Sequence, residues 1–226
     1  MKTCVLIPTY NESRMIGELL SEVKNSGHDI VVVDDGSSDN TGKIAHENGA
    51  AVIMHKENMG KGASLKSGFA HALVNGYEAV IIMDGDGQHS PKDIERFVKS
   101  AKITGADLII GNRMENPKAM PFIRWATNKC LSHVISKISG QYIPDTQCGF
   151  RLIKRRLLEK IILVTSKFET ESEMLIRAGR KNFRIHSIPI KSIYNNEVST
   201  IHPLKDAFRF IRLIFKINAE ERREKS

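Results

Sequence analysis

Residues 79–89 read AVIIMDGDGQH. The run at 79–83 is apolar and rich in β-branched residues, which suits a short buried strand, and it stops abruptly on Asp84-Gly85-Asp86-Gly87. A strand that is apolar on both faces belongs in a parallel sheet covered by helices. In such open sheets, ligands bind beyond the carboxyl ends of the strands, which is where Asp84 and Asp86 fall. Two carboxylates at i and i+2 suit a hard cation such as Mg²⁺ or Mn²⁺, and Mg²⁺ commonly takes one or two protein carboxylates plus substrate phosphates. A tight polar turn capped by aspartates is the plainer alternative. A calcium loop would use Asp84, Asp86 and Glu95 at positions 1, 3 and 12. It would also need Gly where His89 stands, and Pro91 already opens a helix.

The same alternation extends on either side. Strands are expected at 4–7, 30–33, 51–54 and 107–110, with helices at 11–24, 41–47, 63–74 and 90–102. The last of these starts with Ser90 as cap, Pro91 in the first turn and Asp93 closing a capping box. Strands alternating with helices specify an α/β fold, a mostly parallel, Rossmann-like central sheet with helices on both faces. Beyond residue 115 the sequence predicts helices at 122–138, 155–163 and 169–179, a loop at 141–150 and a strand at 183–190. One domain over 1–202, followed by a basic amphipathic helix and tail over 203–226, is the simplest organisation.

Two more strand ends carry polar chemistry. The first ends in Pro8-Thr9-Tyr10-Asn11-Glu12, the second in Asp34-Asp35-Gly36-Ser37-Ser38-Asp39. Two acids fed from a buried strand need partners. Capping of the helix at 41–47 accounts for one of them, and a base or ribose could donate hydrogen bonds to Asp35. Gly60-Lys61-Gly62 reads either as a phosphate-contacting loop or as the turn that opens a helix, since it lacks the Walker spacing. Asn112-Arg113 and Arg124 are candidate phosphate clamps, or solvated surface arginines.

The chain of 226 residues has a net charge of +8, a basic total that raises nucleic-acid and membrane-surface partners. Residues 1–150 hold 16 Lys/Arg and 17 Asp/Glu, whereas residues 151–226 hold 18 and 9, so the surplus lies in the last third. Aromatic residues are only 6% and no nucleic-acid motif accompanies the charge, so nucleic acid is not expected as a partner. Three cysteines without a CxxC pair suit a reducing compartment. No apolar run is long enough to span a bilayer.

Taken together, the motifs resemble family 2 glycosyltransferases of the GT-A fold, and among them the dolichol- or polyprenyl-phosphate sugar synthases. The resemblance is carried by residues 5–12 (VLIPTYNE), 31–41 (VVVDDGSSDNT), 58–62 (NMGKG), 83–89 (MDGDGQH), 111–113 (GNR), 145–151 (DTQCGFR), 168–175 (FETESEML) and 189–199. It implies that Pro8, Tyr10, Glu12, Asp35, Lys61, Asp84 and Gln88 bind the nucleotide. It implies a Mg²⁺ or Mn²⁺ ion on Asp84 and Asp86, and phosphate contacts from Arg113 and Arg124. Glu173 would face the reaction centre; Asp145, Gln147 and Arg151, with Ser199 and Lys205, would shape the acceptor side. Asn128 stands where mannosyltransferase-like members carry Ser.

The implied activity is inverting transfer of a sugar from a UDP- or GDP-type donor to a polyprenyl or dolichyl phosphate, at the cytoplasmic face of the membrane. Such transfer must stabilise a leaving diphosphate and an oxocarbenium-like carbon. A lipid-phosphate acceptor is already an anion, so positioning dominates. A saccharide or protein hydroxyl acceptor would need a carboxylate base, for which Glu173 is the candidate. Glu169 and Glu173 could instead form a solvated acidic face that pairs with Arg177 or Arg180.

Residues 203–218 form the other informative stretch. As a helix, Lys205, Arg209, Arg212 and Lys216 share one sector, and Leu204, Phe208, Ile211 and Phe215 the next. That pattern fits an in-plane helix on a membrane surface. It also fits a helix docked on the protein's own sheet, or a homodimer contact. A non-catalytic membrane-surface module built on the same charge is the alternative from another functional class.

Overall fold

The computed structural model describes residues 1–117, 120–167, 169–191, 212–214, 217 and 219. Seven strands form one sheet in the order β3-β2-β1-β4-β6-β5-β7. They are β1 (Thr3–Thr9), β2 (Asp29–Asp34), β3 (Ala51–Met54), β4 (Ala79–Ile82), β5 (Leu108–Asn112), β6 (Arg151–Lys154) and β7 (Ile185–Pro189). Pairs β1–β2, β2–β3, β1–β4 and β5–β7 are parallel, and β6 runs antiparallel to both β4 and β5. The mainly parallel sheet is therefore as expected. Helices α1 (Ile16–Lys24), α2 (Thr41–Glu47), α3 (Lys61–Val74), α4 (Ile94–Thr104), α5 (Phe122–Ser139), α6 (Arg155–Leu158) and α7 (Glu169–Arg180) connect and cover it.

The core follows from the apolar runs. Val5 pairs with Ile30 on one side and Ile81 on the other, and all three are buried. Leu152 of β6 lies opposite both Ile81 and Ile109. Each such side chain contributes roughly 1.5–3 kcal/mol on full burial. Helix α1 buries Ile16, Leu19, Leu20 and Val23, a single stripe at helical spacing.

Four local expectations change. Helix α1 starts at Ile16 rather than residue 11, because Asn11 takes a left-handed φ of 58° and its side chain accepts from Ser38 N at 2.9 Å. The capping box at Ser90 does not form: a 3₁₀ turn over Pro91–Asp93 precedes α4, and Asp93 pairs with Arg96 instead. The helix expected over 155–163 is one turn, Arg155–Leu158. Strand β6 is not predicted by the sequence pattern.

Near the C-terminus, the described residues 212–214, 217 and 219 are helical. Leu213 and Ile217 are 2% and 1% exposed and belong to the main core, while Arg212 is exposed. These two apolar positions are thus covered by the protein itself rather than left for a membrane. Among the described residues, no helix is long and apolar enough to cross a membrane.

Candidate active site

The carboxyl ends of β1, β2 and β4 meet at one edge of the sheet. Glu12 N donates to Thr41 Oγ1 at 2.8 Å and Asn11 N to Ser37 Oγ at 2.9 Å, tying the first strand-end loop to the second. Gly85 lies against Thr9, Pro8 and Glu12, so the DGDG turn packs on the same loop.

Asp34, the last residue of β2, and Asp35, which follows it, are both buried, and both have partners. Asp34 accepts from Ser37 N at 2.9 Å. Asp35 accepts from Met59 N at 3.0 Å, Gly60 N at 2.7 Å and the His55 ring at 2.7 Å. The turn between them and residue 57 is tight. Gly36 has a φ of 74°, and a Cβ there would come within 2.5 Å of the Glu57 backbone. Asp35 therefore anchors the loop that leads into α3, and a ligand meeting Asp35 meets that loop too.

Lys61 is the first residue of α3. Its Nζ lies 2.5 Å from Asp84 Oδ1 and 3.2 Å from Glu171 Oε1. Burial opposes the ammonium charge, but the two carboxylates more than offset it and raise the Lys61 pKa. Burial likewise works against the Asp84 carboxylate, yet the Lys61 charge prevails and holds its pKa down at about 2. Asp86 Oδ1 accepts from Gln88 N at 3.0 Å. On the far side of Asp84 is Gly149, where a Cβ would stand 2.3 Å from Asp84 Oδ2.

Arg113, directly after β5, makes a bidentate pair with Asp145: Nε to Oδ2 at 2.8 Å and Nη2 to Oδ1 at 2.9 Å, with its backbone N on Oδ2 at 2.9 Å. Asn128 Nδ2 donates to the same carboxylate at 2.7 Å. Asp145 is fully buried, and although burial raises its pKa, the Arg113 hydrogen bonds and charge lower it overall. The guanidinium is thereby fixed in direction, the arrangement that makes Arg effective toward phosphates.

The side chains present fit a divalent ion only if a substrate supplies part of its ligand set. Among the described residues, no three His, Cys, Asp or Glu side chains gather as a metal cage. Asp84 and Asp86 supply two carboxylates, the number a Mg²⁺ or Mn²⁺ ion uses when a diphosphate provides the rest. Asp84, Asp86 and Glu95 do not gather as a calcium loop would require, and Glu95 bonds His28 at 3.0 Å instead.

The sequence model of glycosyl transferase family 2 matches residues 4–162. This chain belongs to that family. The UDP-N-acetylglucosamine–dolichyl-phosphate N-acetylglucosaminyltransferase of Methanococcus voltae is 32% identical over 213 residues, covering 84% of this chain and 85% of that one. The polyprenol monophosphomannose synthase of Mycolicibacterium smegmatis is 34% identical over 203 residues, covering 84% and 76%. Among solved structures, glucosyl-3-phosphoglycerate synthase of Mycobacterium tuberculosis, crystallised with Mn²⁺, UDP and glucosyl-3-phosphoglycerate, superimposes with a TM-score of 0.74 at 16% identity. That likeness covers 95% of this chain and 79% of the other, and it shows the fold, GT-A. The protein is a glycosyltransferase.

The glycosyltransferase brings most of its expected residues to one edge, but two of them, Glu173 and Arg151, are buried in hydrogen bonds to the protein itself. Glu173 is fully buried. Its carboxylate accepts from Val164 N at 3.0 Å, Thr165 N at 2.9 Å, Thr165 Oγ1 at 2.6 Å and Arg177 Nε at 2.7 Å. It pins the 164–165 segment to α7 and pairs with Arg177 as the alternative has it, but from a buried position and not on a solvated face. Arg151 is also fully buried, and donates to the carbonyls of Cys148, Glu171 and Thr146 at 2.7, 2.8 and 2.8 Å. It holds the 146–148 loop and the start of α7 in place instead of meeting an acceptor. Arg124 is half-buried and has no ion-pair partner among the described residues.

Pro8, Glu12, Gln88 and Gln147 are half-buried, and Tyr10 is 46% exposed at the rim. Ser199 and Lys205 lie outside the described residues. Glu171, Asn128 and Gly149 were not singled out as site residues. Glu171 is one of three alternating acids at 169, 171 and 173, and only the fold shows that it is the one reaching Lys61.

Proposed function

We propose that this glycosyltransferase moves a sugar, with inversion at the anomeric carbon, from a UDP- or GDP-type donor to a polyprenyl or dolichyl phosphate. The observation that carries the reading is one sheet edge holding both kinds of charge the transfer needs. Asp84 and Asp86 are poised for a divalent ion, and Arg113 is aimed by Asp145 for phosphate oxygens. When bound there, a Mg²⁺ or Mn²⁺ ion would supply Lewis-acid charge to the leaving diphosphate. Pro8, Tyr10, Glu12 and the Asp35-anchored loop bind and orient the nucleoside. Lys61 neutralises Asp84 and Glu171 and keeps the acid cluster ordered. Arg113 and Arg124 stabilise phosphate charge as the donor bond breaks. Asp145 and Gln147 line the acceptor side.

A hydroxyl acceptor would require a carboxylate base, and the expected one, Glu173, already accepts hydrogen bonds from four donor groups. An acceptor that arrives as an anion needs none, which is why the lipid phosphate is favoured. The names of the Methanococcus and Mycolicibacterium relatives support the same acceptor class.

The test is sugar transfer from a panel of UDP- and GDP-sugars to a short polyprenyl phosphate, with and without a chelator, in the wild type and in Asp86→Ala. Transfer that stops on chelation and falls at least about a hundredfold in Asp86→Ala is expected. Transfer that survives both, or that occurs only to hydroxyl acceptors, overturns the proposal.

A further inference from the structure

Helix α5 has two parts of different character. Asn128, Ser132, Ile135 and Ser139 form one buried stripe, and the helix packs against α7. Its first turn does not share in that burial. Phe122 and Ile123 are 76% and 75% exposed, among the largest apolar exposures in the described residues. Phe122 stacks on Trp125 with ring centroids 5.7 Å apart, and Pro117 and Met120 join these two rings around a shallow apolar hollow.

The charge carried by α5 has one sign. The eighteen residues of α5 include Arg124, Lys129 and Lys137 and no Asp or Glu. Lys129 Nζ lies 4.8 Å above the Trp125 ring, so a cation borders the apolar surface directly. Glu115 is the nearest acid before the helix in sequence. Exposed large apolar side chains, an aromatic pair and cations on acid-free helix are the composition that binds at the headgroup level of an anionic bilayer.

The patch is also well placed. Asn128, which holds Asp145 and through it Arg113, follows Phe122 on the same helix by six residues, roughly 9 Å along the axis. We infer that the first turn of α5 and Met120 just before it, with Phe122, Ile123 and Trp125 inserted and Lys129 at the headgroups, dock the protein on an anionic lipid surface beside the catalytic edge. The choice of a lipid partner rests on the lipid-phosphate reading above; the residues and their exposure do not. The tail helix is the other candidate, but of its described apolar positions, Leu213 and Ile217 are buried in the core and Ile214 is half-buried against it.

Trp125 is the sole tryptophan of the chain, so its fluorescence reports this surface alone. The full chain is titrated, without donor or metal, with vesicles of phosphatidylcholine alone or with roughly one-third phosphatidylglycerol. Vesicles carrying brominated acyl chains measure insertion. Expected are sedimentation with the anionic vesicles only, a blue shift and quenching of Trp125. The pair Phe122→Ser with Ile123→Ser should lower partition about tenfold or more. Ile162→Ser, which removes an apolar side chain 77% exposed elsewhere, should leave it unchanged.

Binding without quenching places the lipid contact elsewhere and overturns the inference, as does a lack of binding. A Trp125 shift that grows with protein concentration in the absence of vesicles identifies a second copy as the occupant and overturns it too. Transfer to a short, water-soluble polyprenyl phosphate is measured separately. Quenching with no such transfer upholds the surface and overturns the acceptor; transfer with no quenching does the reverse.

Discussion

Gly149→Ala adds one methyl group at the point where the 145–149 loop touches the metal motif. The new Cβ would lie 2.3 Å from Asp84 Oδ2, 3.0 Å from its Cγ and 3.1 Å from Oδ1. Real contacts of that kind essentially never fall below 3.0 Å, so the oxygen must retreat by at least roughly 0.7 Å. It has little freedom to do so, because the other oxygen is held by Lys61 at 2.5 Å. Overpacking of this size costs about 1–3 kcal/mol of stability. The functional cost is larger, since a displacement near 1 Å of a reacting or metal-holding group commonly costs about a hundredfold in rate. The assay is kcat/KM for the donor together with Mn²⁺ affinity by titration, alongside Tm. A drop of about a hundredfold with weakened Mn²⁺ binding and a folded protein is expected. Wild-type kcat/KM and Mn²⁺ affinity in Gly149→Ala would refute the placement of Asp84 against Gly149, and with it the site geometry.

Two further outcomes separate neighbouring groups. Glu173→Gln should lower stability by about 3 kcal/mol, because buried Arg177 loses its charged partner, while kcat of the folded protein stays within about threefold; Glu171→Gln, which strips one acid from Lys61, should do the opposite. Acid should destabilise the protein through His89, which burial first, and then Arg113 and Lys61, hold down at a pKa of about 4. The unfolded chain takes up that proton near pH 6.5, so stability falls between about pH 6.5 and 4, by about 3 kcal/mol in all. Tm measured across this window in chelator should decline in the wild type and decline less in His89→Gln.

The strand–helix alternation of the first 115 residues was legible because each strand is a continuous apolar run and each helix has one apolar stripe. Strand β6 was not, for a physical reason. It is four residues long, begins on an arginine and runs straight into α6, so Arg151-Leu152-Ile153-Lys154 carries neither strand length nor alternation. Arg151 reads in sequence as an acceptor-side residue; it is buried, with three backbone carbonyls taking its guanidinium. The strand-end placement of Asp84, Asp86 and Arg113 could be read from motif and apolar run. Glu171 and Glu173 differ only in which way a helix is turned against the sheet, and that is decided by packing with residues far along the chain. Asn128 donates to Asp145 across 17 residues, a relation no local pattern encodes.

The central place of β6 bears on how the chain assembles as it is made. Strands β3, β2, β1 and β4 can pair using the first 82 residues alone. Their outer member, Ala79-Val80-Ile81-Ile82, is wholly buried in the finished sheet. Until residues 151–154 emerge, it is a bare apolar edge of the kind that recruits other strands. A ribosome-bound or truncated chain ending before Arg151 would therefore present a parallel half-sheet open on its β4 side, and its main hazard would be pairing with its own copies.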